Sequence, residues 1–494
     1  MQLVGLLALA SITAHAFQPR QAPLLLRWRG RVASSAATVM VVVVEEEEAT
    51  GVVVGGSRTL SPQRMTSDNG RSALGNDDAQ VSLDERSGIS RRGLFHRAAA
   101  LAEGMAATGA MCGVANAADG MEDRRRYFQR FPTLFDPIYG EASRRTIKRQ
   151  IGENIWALEQ SLELGPLESP LRCVVVRLED GSLWVHAPLA PTEEFFELVE
   201  SCCLGGDRSA IAHVVVPTYA LEHKVFVKDA LLRWPDAKLW TAPGQFSFPK
   251  RSVSDDFVWG RSVSGVLSGS DEDATSKNVP WANEIQYETL TAGTFSIGGS
   301  STTLFETAFF HKASKSLIVT DSLAQVPLAV PELNDPAKLL LVSKRSTADP
   351  QPDDTPEARQ VGWEKTALLV SYFFPEHEEL DPKAVGVVTW TDGWHGNFRA
   401  LAGRLIVPPV VRTLIYAQNP PEVRRWVDRV ASGRWSFEQI VPAHFEAPIR
   451  AGPRELDRAF AFLEDGRVDA FPANDLRRGL RPIADLALSR LGRS

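Results

Sequence analysis

Cysteine is scarce, with four in 494 residues, and two of these, Cys202 and Cys203, are adjacent. So few cannot make the disulfide framework of a small secreted scaffold, and no pair has the Cys-x-x-Cys spacing of a zinc ribbon or a redox motif. Positive charge is also in short supply. Lys and Arg number 54 against 61 Asp and Glu, a net charge of −7, which lacks the cationic excess that neutralising phosphates requires and argues against a nucleic-acid partner. Long apolar runs are missing too. Residues 3–14 form an apolar stretch well short of the ~20 residues a spanning helix needs, so no transmembrane span is expected. There is no Gly-x-Ser-x-Gly elbow for a serine nucleophile, Gly298-Gly299 lacks phosphate-loop spacing, and no internal repeat is visible. What is present is ordinary for a globular chain, 44% hydrophobic and 23% charged, which excludes wholesale disorder, collagen and coiled coil.

The first part of the chain reads as a series of addresses. Residues 1–16 combine the short apolar run with Ala14-His15-Ala16, small residues at the two positions a signal peptidase reads. Phe17 follows, and the stretch AHAFQP resembles the Ala-Phe junction that opens plastid presequences of algae with secondary plastids. Residues 17–89 carry Arg20, Arg27, Arg29 and Arg31 before any acid, the composition of a transit peptide, and then turn Ser-, Gly- and Asp-rich with too little apolar content to fold. At 90–117, Ser90-Arg91-Arg92-Gly93-Leu94-Phe95, a mild apolar stretch and Ala115-Asn116-Ala117 resemble a twin-arginine lumenal signal. An amphipathic helix at the edge of a domain is the alternative for this last segment. Together the addresses predict a plastid protein, reaching the thylakoid lumen if the third is used, with a mature chain from about Ala118 that carries a net charge of −8.

The mature region reads as one α/β domain. Arg172–Leu178 and Leu183–His186 are strand-like and flank Asp180-Gly181, a hairpin turn. Thr192 is placed to cap a helix through PTEEFFELVESC, with Glu193 and Glu194 in its first turn. A strand over Ile211–Val216, a helix over Val225–Trp234 ended by Pro235, and a short strand at Leu239–Trp240 follow. The alternation implies a sheet buried on at least one face. Short antiparallel strands are expected at Thr289–Leu290, Thr294–Ile297, Thr303–His311 and Ser316–Asp321, then a helix over PEVRRWVDRVA, a strand at Phe437–Val441 and two closing helices. IGENIWALEQSLEL shows mixed faces and reads as a covering segment, while 250–283 and 343–360 read as surface insertions. Trp394-His395-Gly396-Asn397 reads as a turn or a loop site. Cys173 and Cys202 are candidates for pairing in an oxidising compartment, but Cys173 lies in an apolar strand, which favours a buried thiol.

Histidine is rare, at nine residues, and four stand where a buried strand or its following loop stops: His186, His223, His311 and His444. Asp321 closes the run SLIVT. Strand ends on one edge of an α/β sheet point side chains into a crevice that the sheet holds rigid. For any one of these residues a hydrogen-bonded structural role is the simpler reading. Their order along the chain is more telling.

The run IAHVVVPTYALEHKVFVKDALLRWPDAKLWTAP resembles the first metal-binding strand, loop and helix of the metallo-β-lactamase-like hydrolases, whose loop reads Thr-His-x-His-x-Asp-His. FFHKASKSLIVTDSL is similar to their later strand ending in a bridging aspartate, and WSFEQIVPAHFEAP to their last strand ending in a histidine. The runs PTYALEH, APGQFSFP, KSLIVTD and IVPAHFEAP more closely resemble an uncharacterised family of plastids and bacteria, domain of unknown function 4336, a distant relative of those hydrolases. The resemblance implies an αββα sandwich with surface insertions and C-terminal helices. Laid on the loop motif, Glu222-His223 takes the place of Asp-His, which puts Thr218 and Ala220 on the two leading histidines. No His lies between Thr289 and Phe310, so the ligand that precedes the bridging aspartate is missing as well. What the resemblance retains is Glu222, His223, Asp321 and His444, a set for one divalent Zn, Fe or Mn ion, with Glu222 or Asp321 orienting a bound water and His186 and His311 as outer partners or substitutes.

Two expectations follow. In one, the protein is a mononuclear metallohydrolase of a small-molecule ester, thioester or phosphoester. In the other, the fold has lost its chemistry and serves as a binding or assembly factor for thylakoid proteins.

Overall fold

The computed structural model describes residues 122–129, 140–206, 208–245, 254–269, 279–297, 300–381, 383–384, 387–464, 471–482 and 484. The expected signal, transit and twin-arginine segments, with His15, His96 and Cys112, lie outside the described residues, as do parts of APGQFSFP and of 250–283. All described residues belong to one of two compact units.

A two-stranded ladder, β1 (Arg126–Gln129) and β2 (Gly140–Ser143), precedes the first large sheet. That sheet runs in order β3 (Ile147–Gly152), β4 (Ile155–Leu164), β5 (Leu167–Arg177), β6 (Leu183–His186), β7 (Ile211–Val216), β8 (Lys238–Thr241) and β9 (Gly265–Val266). Its first half is antiparallel and its second half, from β6 onward, parallel. The parallel connections use α1 (Glu193–Glu200) and α2 (Val227–Arg233), with α3 (Asp255–Trp259) before β9. Thr192 Oγ1 accepts the Phe195 N–H at 3.0 Å, the cap that the sequence predicts.

The second sheet runs β10 (Ile285–Ile297), β11 (Ser300–His311), β12 (Ser316–Ile318), β15 (Gln439–Val441) and β16 (Ile449–Arg450). β13 (Glu378–Leu380) and β14 (Val388–Trp390) form a separate hairpin. Around them lie α4 (Pro336–Ser343), α5 (Pro356–Tyr372), α6 (Trp394–Leu401), α7 (Pro409–Leu414), α8 (Pro420–Ala431) and α9 (Pro453–Ala459). On α8, Val423, Trp426, Val427 and Val430 form one buried stripe, as their spacing predicts.

Strand periodicity sorts these side chains into layers. On β5, Cys173 and Val175 face α1 and α2, while Val174 and Val176 face the other sheet. Between the sheets, Trp184, Val215 and Trp240 pack on Tyr287, Phe309 and Ile318. The outer face of the second sheet is covered by α5 through α9. The order helix, sheet, sheet, helix is the αββα sandwich that the sequence predicts, and burial on both faces explains the unbroken apolar runs in β5 and β7.

Several expectations need correction. IGENIWALEQSLEL forms β3 and β4, not a covering segment, because its polar Glu159 and Gln160 are buried with partners: Arg172 for the first, Thr146 and Ala190 for the second. Trp394–Asn397 opens α6 instead of a loop, and His395 bonds Glu364 at 2.7 Å on the surface. Within 250–283, Gly265–Val266 adds a parallel edge strand to the first sheet. Cys173 and Cys202 are buried thiols not paired with each other, Cys203 is buried beside Cys202, and burial pushes the Cys173 thiol well above its usual value. Among the described residues no helix is long and apolar enough to cross a membrane.

Candidate metal centre

Two parallel strands set the geometry. β12 and β15 pair with Ile318 opposite Val441, so their chains leave the second sheet at the same edge. Asp321 and His444 each stand three residues beyond those strand ends. From the first sheet, β7 ends at Val216 and the chain turns through a 3₁₀ segment, Leu221–His223, which delivers Glu222 and His223 to that edge. Donor atoms of Glu222, His223, Asp321 and His444 all lie within 4.8 Å of one another. All four residues are at least nine-tenths buried.

The donor chemistry fits a single ion. His223 Nε2 lies 3.5 Å from Asp321 Oδ2, and His444 Nε2 lies 3.3 Å from Asp321 Oδ1, yet neither nitrogen makes an aligned hydrogen bond. Two donors each about 2.1 Å from one ion at a tetrahedral angle would stand about 3.4 Å apart. His444 Nδ1 donates to the Pro170 carbonyl at 3.1 Å, which keeps the proton on Nδ1 and leaves the Nε2 lone pair turned to Asp321. Burial holds His444 below the usual imidazole value, against the opposing pull of Asp321. For Asp321, burial disfavours charge, whereas the two imidazoles beside it favour the ionised form. Metal binding requires deprotonated ligands, and the His444 Nε2 lone pair, freed by the Nδ1–H bond to Pro170, faces the site as one.

His186 and His311 part company. His186 ends β6 beside His223, stacked on Trp184 with ring centroids 5.6 Å apart, and neither ring nitrogen has a hydrogen-bond partner. Burial first, and His223 second, push it down to about 3, so it stays neutral. His311 does not belong to the site, which corrects the expectation for it. It pairs with Ser316 at the start of β12, the opposite end from Asp321, and its Nδ1 contacts Ser314 Oγ at 2.7 Å. A strand-end histidine was visible in the sequence, but which edge it faces depends on strand direction.

Two supporting groups were not foreseen. Arg172, fully buried on β5, pairs with Glu159 at 2.7 Å and donates to the carbonyls of Pro442 and Phe445, the residues bracketing the His444 loop. Phe445 itself adopts a left-handed φ of 59°, a conformation that costs about 1–3 kcal/mol and persists only when its surroundings impose it. Glu306, on β11, accepts three backbone N–H groups with Oε1, from Thr320 at 2.9 Å and from Asp321 and Ser322 at 3.1 Å each. Its Oε2 accepts from the Tyr416 hydroxyl at 3.3 Å. The Asp321 turn is thus clamped from behind by a buried carboxylate. A lone Glu in a strand carries no sequence signal of such a role.

Beside Asp321 a small cleft opens between the Thr218–Ala220 loop, the β10–β11 hairpin and Tyr416. Thr218 and Ala220 line it, on the positions that the resemblance gives to two histidines. The side of the centre that would hold a second ion therefore has no imidazole from this loop.

The family model described as "Domain of unknown function (DUF4336)" matches residues 152–462, well over half of the chain, and the protein belongs to that family. No curated protein matches it. Among solved structures, the flavodiiron core of Flv1 from Synechocystis is similar at 9% identity and a TM-score of 0.33, covering 65% of this chain and 61% of that one. The rubredoxin oxygen:oxidoreductase of Desulfovibrio gigas is similar at 10% identity and a TM-score of 0.33, covering 64% and 60%. This chain spans less than two thirds of the length of either. A metallo-β-lactamase from Pontibacter korlensis is similar at 8% identity and a TM-score of 0.30, covering 65% and 100%.

Proposed function

We propose that this protein is a plastid metallohydrolase with one divalent ion, Zn, Fe or Mn, held by Glu222, His223, Asp321 and His444, acting on a small-molecule ester, thioester or phosphoester. The reading is carried by the buried convergence of two imidazoles and two carboxylates from three distant stretches of chain. Without an ion the Nε2 atoms of His223 and His444 are buried with no hydrogen bond, which is costly. When bound, a divalent ion lowers the pKa of a coordinated water toward neutrality. In this centre His223 and His444 contribute nitrogen donors. Asp321, clamped by Glu306 at its backbone, supplies a fixed anionic oxygen, and Glu222 or Asp321 takes the proton of the attacking water. Two carboxylates beside two imidazoles suit a borderline to hard ion better than thiolate-seeking ones.

A second reading, a non-catalytic binding or assembly factor of the thylakoid, is supported by the absence of histidine at Thr218 and Ala220 and by the small cleft beside Asp321. Metal analysis of the full chain purified without chelator separates the two, together with His223→Ala and His444→Ala. One ion per chain, lost in both variants along with hydrolytic activity, supports the enzyme. Metal-free protein that stays folded and unchanged in the variants supports the scaffold. For the plastid assignment, residues 1–117 fused to a fluorescent reporter are expected to direct it into the organelle, and a cytosolic signal would refute that part.

A further inference from the structure

The cleft beside Asp321 has a composition that discriminates among substrates. Its walls are Tyr219, Ala220, Ala292, Leu304, Val411 and Ile415. Among the described residues its carboxyl groups are Glu306 and Asp321, and no Lys or Arg lines it. The nearby cations already have partners: Lys224 Nζ sits 4.0 Å over the ring of the wall residue Tyr219 and 3.1 Å from Gln245 Oε1, while the Arg412 guanidinium lies 4.4 Å over the Phe462 ring. The backbone amides of Thr320 to Ser322, a natural cradle for an anion, are already taken by Glu306. A phosphoryl group here would meet the Glu306 and Asp321 carboxyl groups with no Lys or Arg among the described lining residues to offset them, an arrangement that disfavours an anion. Hydrocarbon meets no such penalty.

Resting on the hydrolase reading, we propose that this cleft receives the acyl end of a short-chain carboxylic ester or thioester. Its water-accessible space is about 30 Å³, room for about two waters, or a methyl or ethyl group in their place. In the reaction a water oxygen bonds to the acyl carbon and the C–O or C–S bond breaks. The alcohol or thiol departs with one proton of that water, and the second proton is released from the new carboxylic acid.

The test is kinetic, with metal content measured in parallel on the full chain. The probes are p-nitrophenyl acetate, butyrate and octanoate, and p-nitrophenyl phosphate. The acetate ester is expected to exceed the octanoate and the phosphate by at least tenfold in kcat/KM. Leu304→Ala is expected to move the optimum to butyrate, and Ala292→Leu to lower acetate turnover at least tenfold, both with the ion retained. Preferred cleavage of the phosphate, or a chain-length order that neither variant changes, overturns the acyl assignment and leaves the hydrolase reading intact. Protein that holds no ion, or holds one and cleaves none of the four probes, overturns the hydrolase reading and the acyl assignment with it.

Discussion

Arg172→Met is expected to be among the most damaging substitutions outside the four donors. The guanidinium is 1% exposed and bonds the Glu159 carboxylate and the carbonyls of Pro442 and Phe445. Removing it strands a buried carboxylate, for which one-sided removal of a buried pair costs about 3–5 kcal/mol. Glu159 keeps only Arg149, 3.7 Å away and 41% exposed, as a replacement. The double variant Glu159→Met/Arg172→Met removes both charges, so it is expected to regain more than about 2 kcal/mol of that loss in urea unfolding. Metal affinity behaves differently. Without Arg172 no other described residue donates to the Pro442 and Phe445 carbonyls, and loss of such outer support lowers metal affinity about 10–100-fold. Titration calorimetry with zinc should therefore show weakened binding in both variants, although their stabilities differ. A stability loss under about 1 kcal/mol in Arg172→Met, or wild-type zinc affinity in the double variant, would refute the argument that Arg172 acts on the centre through the His444 loop.

Glu306→Ala leaves three amides facing a void; hydrogen bonds to a charged group contribute about 1.5–3 kcal/mol, so a lower melting temperature and weaker metal binding are expected together, and loss of neither counts against the clamp. Asp475 accepts from the Glu376 amide and from Asn397 Nδ2 at 2.8 Å, and burial pushes its carboxyl up to about 6. A folded pKa above the unfolded one means the folded state binds the proton more tightly, a stabilisation complete below about pH 4 and lost as pH rises through 6. Relative to Asp475→Asn, the wild type should lose about 2 kcal/mol between pH 4 and pH 7 in denaturant titrations; parallel pH profiles would contradict this. Gly362→Ala would put a Cβ 2.0 Å from the Leu339 carbonyl oxygen, where α4 crosses α5, and should cost about 1–3 kcal/mol by forcing the helices apart. Chelator treatment is expected to lower the melting temperature of the wild type and not of His444→Ala, read by calorimetry.

How far the sequence could be read follows from where its signals are local. Thr192 before two acids, Ile211–Val216 between breakers, and the Val423–Trp426–Val430 stripe each encode an element within one short window, and each forms as expected. The four donors were legible because each follows a recognisable run. β3 and β4 were not, because Glu159 and Gln160 look like solvent-facing residues until Arg172 and Ala190 arrive from other strands. α5 likewise lacks a one-sided pattern. It is packed on several sides, and Lys365 is buried to bond the carbonyls of Ser343 and Lys344 at 2.8 and 2.7 Å. His311 misled for a different reason. Strand polarity belongs to the sheet, and no single strand announces it.

The parallel exit of β12 and β15 would tie an ion bound by the proposed centre to the integrity of the entire sandwich. Glu222 and His223 come from one sheet, Asp321 and His444 from two strands of the other that are joined only after α4 through α8 have been laid down between them. No fragment short of that assembly brings the four donors together, so the centre cannot nucleate folding as a zinc finger's does. Retained metal would then act as a gauge of completeness: a chain that has opened anywhere between the sheets gives up its ion.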